Sequence, residues 1–383
     1  MVIYGLDRLV NEGYAPLKGK RIGLITNHTG VDAQLRSNID LLHSHPDYHL
    51  VALYGPEHGV RGSAAAGEHV DTYTDPQTGL PVYSLYGASK RPSAEMLAGV
   101  EALVFDILDC GCRYYTFPYT MAYTMQAAAE HGIPYVVLDR PNPANGLQVE
   151  GNVLKAGFES FVGLYSIPMR HGLTIGELAE LFNREFGIGC DLHVVPMSGW
   201  QRAMWWQDTG KPWVMPSPNS PTPDFAVVYP GTCLFEGTNL SEGRGITKPF
   251  QIIGAPWIVA EDWARSLNHL GLEGVIFRPT YFTPTFSKHQ GQLCGGVELH
   301  VVDRDRFEPV RVGLEMLATV RKLYPNDFAW RDPYNGRYFF DLLAGTDQLR
   351  LDLDRGVSPS EIIAGWQGEL DTFKAVREKY LIY

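Results

Sequence analysis

Four short apolar runs, each ending in a polar, turn-rich peptide, constrain this chain more than any other feature. Arg21-Ile22-Gly23-Leu24-Ile25 leads into Thr26-Asn27-His28-Thr29-Gly30, and Leu50-Val51-Ala52-Leu53-Tyr54 into Gly55-Pro56-Glu57-His58-Gly59. Ala102-Leu103-Val104-Phe105 leads into a peptide that starts at Asp106 and carries Asp109, Arg113 and Tyr115. Tyr135-Val136-Val137-Leu138 leads into Asp139-Arg140-Pro141-Asn142-Pro143. Short β-rich runs alternating with longer helix-compatible segments imply βαβ units and a parallel sheet. Right-handed crossovers bring the carboxyl ends of such strands to one edge, where open α/β sheets bind their ligands. That edge would collect Asn27, His28, Glu57, His58, Asp106, Asp109, Arg113, Asp139, Arg140 and Asn142. So many polar residues at coincident strand ends point to an enzyme active site.

Helices are expected at 5–11, 37–43, 93–99 and 119–131, and from the capping-box pattern Thr174-Ile175-Gly176-Glu177 to Phe186. Residues 190–196 read as a further strand of the same domain. From Trp200 to Pro230 the chain is rich in Trp and Pro, and a rigid, aromatic-walled loop without regular structure is expected. The chain is long enough for two domains, placed at 1–230 and 231–383. The second should hold strands at 274–277 and 297–302 and helices at 310–324 and 370–379.

A net charge of −11 argues against a nucleic-acid partner. No apolar run is long enough to span a bilayer. The N-terminus lacks the basic start, apolar core and cleavage site of a signal peptide. Cytoplasmic residence is therefore expected, or secretion where a leader has been removed. The five cysteines form no disulfide ladder and read as buried free thiols. Nothing here sets an oligomeric state.

The chemistry narrows by elimination. The turn after the first strand is not Gly-x-Gly-x-x-Gly, and neither a Walker loop nor Gly-x-Ser-x-Gly occurs. No nucleotide cofactor is expected. His28, Glu57, His58, Asp106 and Asp139 could ligate a metal, yet no His-Glu-x-x-His spacing ties them to one ion. No metal is expected, and a metal-dependent hydrolase is an alternative. What remains is carboxylate chemistry, of which glycoside hydrolysis is the standard example. Glu57 would be the general acid, with His58 orienting it. Asp106, Asp109, Asp139, Glu236 and Glu242 are candidates for the second role. A non-catalytic sugar-binding module is the rival class.

These motifs, together with Phe235-Glu236-Gly237-Thr238-Asn239-Leu240-Ser241-Glu242-Gly243-Arg244-Gly245, resemble the NamZ-type exo-β-N-acetylmuramidases over nearly the whole chain. The resemblance implies a Rossmann-like N-terminal domain, a smaller α+β C-terminal domain and an active-site cleft between them. It also implies removal of N-acetylmuramic acid from the non-reducing end of peptidoglycan fragments. Glu57, His58, Asp106 and Asp139 then stand as catalytic candidates. Asn27, His28, Asp109, Arg113, Tyr115, Arg140, Asn142, Glu236, Asn239, Glu242 and Arg244 stand as substrate contacts. The lactyl carboxylate of such a sugar suits an Arg, from Arg113, Arg140 or Arg244, with Arg244 the first choice. Its Gly-rich loop is expected to close over the sugar.

Overall fold

The structure, a computed structural model, describes residues 1–62, 72–87 and 89–383. The four runs form β1 (Arg21–Thr26), β2 (His49–Gly55), β5 (Ala102–Asp106) and β6 (Tyr135–Leu138). Between and after them lie β3 (Tyr73–Thr74), β4 (Pro81–Ser84), β7 (Glu150–Val153), β8 (Pro168–Arg170) and β9 (Leu192–Val195). The main sheet has the order β3-β4-β2-β1-β5-β6-β9 and is parallel except for β3 against β4. Its chain reverses direction of travel between β1 and β5, where Thr26 pairs with Asp106.

Continuous apolar runs suit strands covered on both faces. Ile22, Leu24, Val104, Val136 and Leu138 pack with Leu6 and Leu9 of α1 (Gly5–Glu12) and with Ile39 and Leu42 of α2 (Asn38–His43). Ile25, Leu103, Phe105 and Val137 face the other way, onto Met121 and Met125 of α3 (Phe117–His131) and Leu178 and Phe182 of α4 (Ile175–Glu185). The Thr174/Glu177 capping box opens α4 as the sequence implies.

The C-terminal part is a three-stranded antiparallel sheet, order β10-β12-β11, from β10 (Ile252–Ala255), β11 (Val275–Phe282) and β12 (Cys294–Val301). Around it lie α5 (Asp224–Thr232), α6 (Ala260–His269), α7 (Pro309–Leu323), α8 (Phe339–Ala344), α9 (Gln348–Asp354) and α10 (Pro359–Arg377). The residue at 231 lies inside α5, and that helix packs on α7. A Cβ on Gly231 would stand 1.9 Å from the Pro309 carbonyl oxygen, so the two backbones touch only because no side chain intervenes.

Three local expectations are corrected. Residues 93–99 form hydrogen-bonded turns, with Leu97 N donating to Ser93 O at 3.1 Å, and no helix; the segment is too short to propagate and stops at Gly99, φ +81°. The Trp- and Pro-rich stretch is not wholly irregular: it contains a 3₁₀ turn, Trp206–Thr209, and then α5, which tolerates Pro230 in its last turn. The last helix begins at Pro359 instead of 370, opened by the Ser358/Glu361 capping box. All five cysteines are buried and unpaired. Among the described residues no helix is long and apolar enough to cross a membrane.

Candidate active site

Beyond β2 the chain turns within a single hydrogen bond, Gly59 N to Pro56 O at 3.0 Å. His58 takes φ +76° and Gly59 +71°. A non-glycine residue with that φ carries strain, and such strain clusters at working sites. The turn directs both Glu57 and the buried His58 into a cavity of about 300 Å³. That volume lies at the small end of ligand sites and fits one substituted sugar ring.

Both halves of the molecule build the walls. From the sheet side come Tyr86 after β4 and Tyr114, Tyr115 and Phe117 leading into α3; from the other side come Phe225 and Tyr229 of α5, Phe250, Glu236 and Arg244. Tyr86 donates to the Glu57 carboxylate; burial first, and then that charge, push its phenol up to about 12. Burial above all also raises the Tyr115 phenol, and the nearby Cys110 and Glu57 add to it. Both phenols therefore stay protonated, and Tyr86 is a hydrogen-bond donor to the carboxylate side of the cavity.

Opposite Glu57 sits a charge cluster. Arg244 Nη2 donates to Glu236 Oε1 at 3.0 Å, and its Nε lies 3.2 Å from Glu242 Oε1. Lys288 Nζ pairs with Glu242 Oε2 at 2.8 Å and donates to the carbonyls of Phe235, Thr238 and Leu240. Burial raises the Glu236 carboxyl against the pull of Arg244, and Glu242 adds to the rise. The loop itself is pinned. Phe250 N bonds Glu242 O at 2.7 Å, Thr285 N bonds Gly245 O at 3.0 Å, and a Cβ on Gly245 would meet Phe286 backbone atoms at 2.7 Å. Its glycines turn a corner against neighbouring backbone, and the loop forms one wall of the cavity.

The remaining sequence candidates do other things. Asp106 and Arg140 form a buried bidentate pair, 2.6 Å from Nε and 2.9 Å from Nη2. Asn38 Nδ2 adds 2.8 Å to Asp106, and Arg140 also reaches Val31 O at 3.0 Å. This network fills the β1/β5 crevice where a nucleotide would sit in a dinucleotide-binding fold. Asp139 is corrected from a catalytic candidate to an anchor. Its oxygens accept from Arg140 N (2.9 Å), Thr174 Oγ1 (2.8 Å), Gly176 N (2.8 Å) and Tyr383 Oη (2.6 Å). Burial raises its carboxyl to about 6 despite those donors.

Arg113 is fully buried, with Nη1 on the carbonyls of Asn152 and Ile167 and Nη2 on those of Leu343 and Ala344. Those bonds make it a tie between distant segments and leave it no carboxylate to grip. Asn142 joins Leu173 O to Ala144 N, and Asp109 accepts from Gly111 N at 2.8 Å with His171 Nε2 3.5 Å away. Asn27 accepts from Thr29. His28 bonds Met215 O at 2.5 Å with its ring 6.5 Å from that of His58, and burial lowers its pKa. Asn239 clamps residues 327–329 through Asp327 O and Ala329 N. Of the sequence candidates, the cavity is lined by Glu57, His58, Tyr115, Glu236 and Arg244.

Sequence reasoning passed over Tyr86, Tyr229 and Lys288. Tyr86 follows a four-residue strand too short to recognise, and Tyr229 sits in the stretch expected to be irregular. Among the described residues, no three His, Cys, Asp or Glu side chains converge as a metal site.

A Rossmann-like frame and a smaller α+β unit, closing on a sugar-sized cavity with carboxylates on opposing walls, define a two-domain α/β protein with a glycosidase-like cleft. The chain belongs to the exo-β-N-acetylmuramidase NamZ family: residues 22–224 match its N-terminal domain and residues 227–383 its C-terminal domain. It is 54% identical to the peptidoglycan β-N-acetylmuramidase NamZ of Bacillus subtilis, over 99% of this chain and 91% of that protein. Two crystal structures of DUF1343 family proteins from Bacteroides fragilis superpose on all of it and on 99% of their own chains. Their TM-scores are 0.94 and 0.79, at 41% and 32% identity.

Proposed function

We infer that this protein is an exo-acting glycoside hydrolase that releases terminal N-acetylmuramic acid from the non-reducing end of peptidoglycan fragments. One observation carries the assignment of roles: Glu57, on a strained turn at the end of β2, shares its small cavity with Arg244. Glu57 is the general acid, giving its proton to the departing glycosidic oxygen. Tyr86 steadies the carboxylate left behind, and His58 fixes the turn that aims it. Arg244 takes the lactyl carboxylate, since it lines the cavity whereas Arg113 and Arg140 lie outside that lining on buried partners. Family membership and the identity to a muramidase support the substrate; the small, ring-sized cavity supports exo action on one sugar at a time.

Hydrolysis of a chromogenic N-acetylmuramide set against the matching N-acetylglucosaminide tests this. Turnover of the muramide with far weaker turnover of the glucosaminide is expected. Measurable binding of muramides with no hydrolysis of either substrate would overturn the catalytic reading in favour of a binding module.

A further inference from the structure

We propose that Glu236 is an internal stand-in for the substrate carboxylate: it occupies Arg244 in the free protein and releases it, taking a proton from solvent, when an acidic sugar binds. The proposal rests on the muramide reading of the cavity. Arg244 is shared between two carboxylates, but they are not equivalent. Glu242 is buried, lies outside the cavity lining and has Lys288 as a second cation at 2.8 Å. Glu236 lines the cavity, and its cationic hydrogen bond is the 3.0 Å contact from Arg244. It is the partner that an incoming anion can replace.

The charge count makes the exchange proton-linked. Glu236 and Glu242 against Arg244 and Lys288 sum to zero. A third carboxylate would leave this cluster one negative charge in excess, with Glu57 a further acidic group across the cavity, and an unpaired charge among buried groups is costly. Protonating Glu236 restores balance. Burial and Glu242 already favour its neutral form. The other titratable groups facing it are the Cys233 thiol, 3.7 Å away, and the Tyr229 phenol on α5, both held neutral by burial. Across the cavity are Glu57, His58, Tyr86, Tyr114 and Tyr115.

The experiment is calorimetric titration with free N-acetylmuramic acid between about pH 5 and 9, in paired buffers of different ionisation enthalpy. N-acetylglucosamine, which lacks the carboxylate, is the control. On the alkaline side of the Glu236 titration, uptake should approach one proton per N-acetylmuramic acid bound, and affinity should fall up to about tenfold per pH unit. Glu236→Gln should abolish that uptake, and the control sugar should show none in either protein. Binding of N-acetylmuramic acid with equal heats in both buffers at every pH would overturn the inference, as would undiminished uptake in Glu236→Gln. Should that variant fail to fold, the wild-type comparison of the two sugars decides alone. Absence of any N-acetylmuramic acid binding or muramide hydrolysis would instead overturn the functional reading itself, and this inference with it.

Discussion

Two carboxylates at neighbouring strand ends have opposite relations to the fold. Glu57 is half-buried and lines the cavity, whereas Asp106 is locked to Arg140 and Asn38 in a crevice it helps to fill. Asp106→Asn should therefore destabilise the protein by about 3–5 kcal/mol, because it strands a buried guanidinium. Thermal unfolding checks this; a midpoint within a degree or two of wild type would contradict it. Arg244 gives a different signature. Arg244→Ala should raise KM for muramides about 10- to 100-fold, the worth of a charge-assisted hydrogen bond, and narrow the gap to glucosaminides. Unchanged selectivity in steady-state kinetics would remove Arg244 from carboxylate recognition. At this scale the candidate list was legible and the division of labour was not. Arg113 bonds backbone carbonyls more than two hundred residues away, and no spacing in the chain announces such a partner.

Helices and strands show where local signals suffice. β1, β2, β5 and β6 are apolar on both faces and flanked by turn residues, so their periodicity needs no tertiary help. The start of α10 was also written locally, in Ser358-Pro359-Ser360-Glu361, and was missed although it is a capping box. Helix α5 is different: Gly231 lets it lie directly against α7, a long-range contact that no local signal in the stretch announces. Gly231→Ala should overpack that crossing at a cost of about 1–3 kcal/mol and disturb the Phe225 and Tyr229 wall. A lower unfolding midpoint with reduced activity is expected, and neutrality in both would contradict the packing. Asp139 joins β6 to α4 and to Tyr383. Its folded carboxyl, near 6, holds a proton more tightly than the unfolded one at about 3.9. The native state thus binds more protons between about pH 4 and 6, and stability from this group falls by about 3 kcal/mol as pH rises through that window. Asp139→Asn should flatten that slope in urea unfolding, since the amide oxygen still accepts from Arg140 and Gly176 and the hydroxyls can rotate to accept. A slope equal to wild type would assign the pH dependence elsewhere.

In the whole molecule, the Asp106–Arg140–Asn38 network fills the crevice between β1 and β5, and the cavity lies beyond the end of β2, where the second domain meets the sheet. The parallel sheet edge was readable from strand endings alone, but which part of it stays open depends on how α5 and the Glu236–Arg244 wall pack against it. The central claim is that Glu57 supplies the proton for glycosidic cleavage. Its most direct test is release of N-acetylmuramic acid from a muramyl-glucosamine disaccharide by Glu57→Gln, measured alongside thermal unfolding. The account predicts a loss of kcat of at least about 100-fold with an unfolding midpoint close to wild type. Turnover at the wild-type rate by a folded Glu57→Gln protein would contradict it.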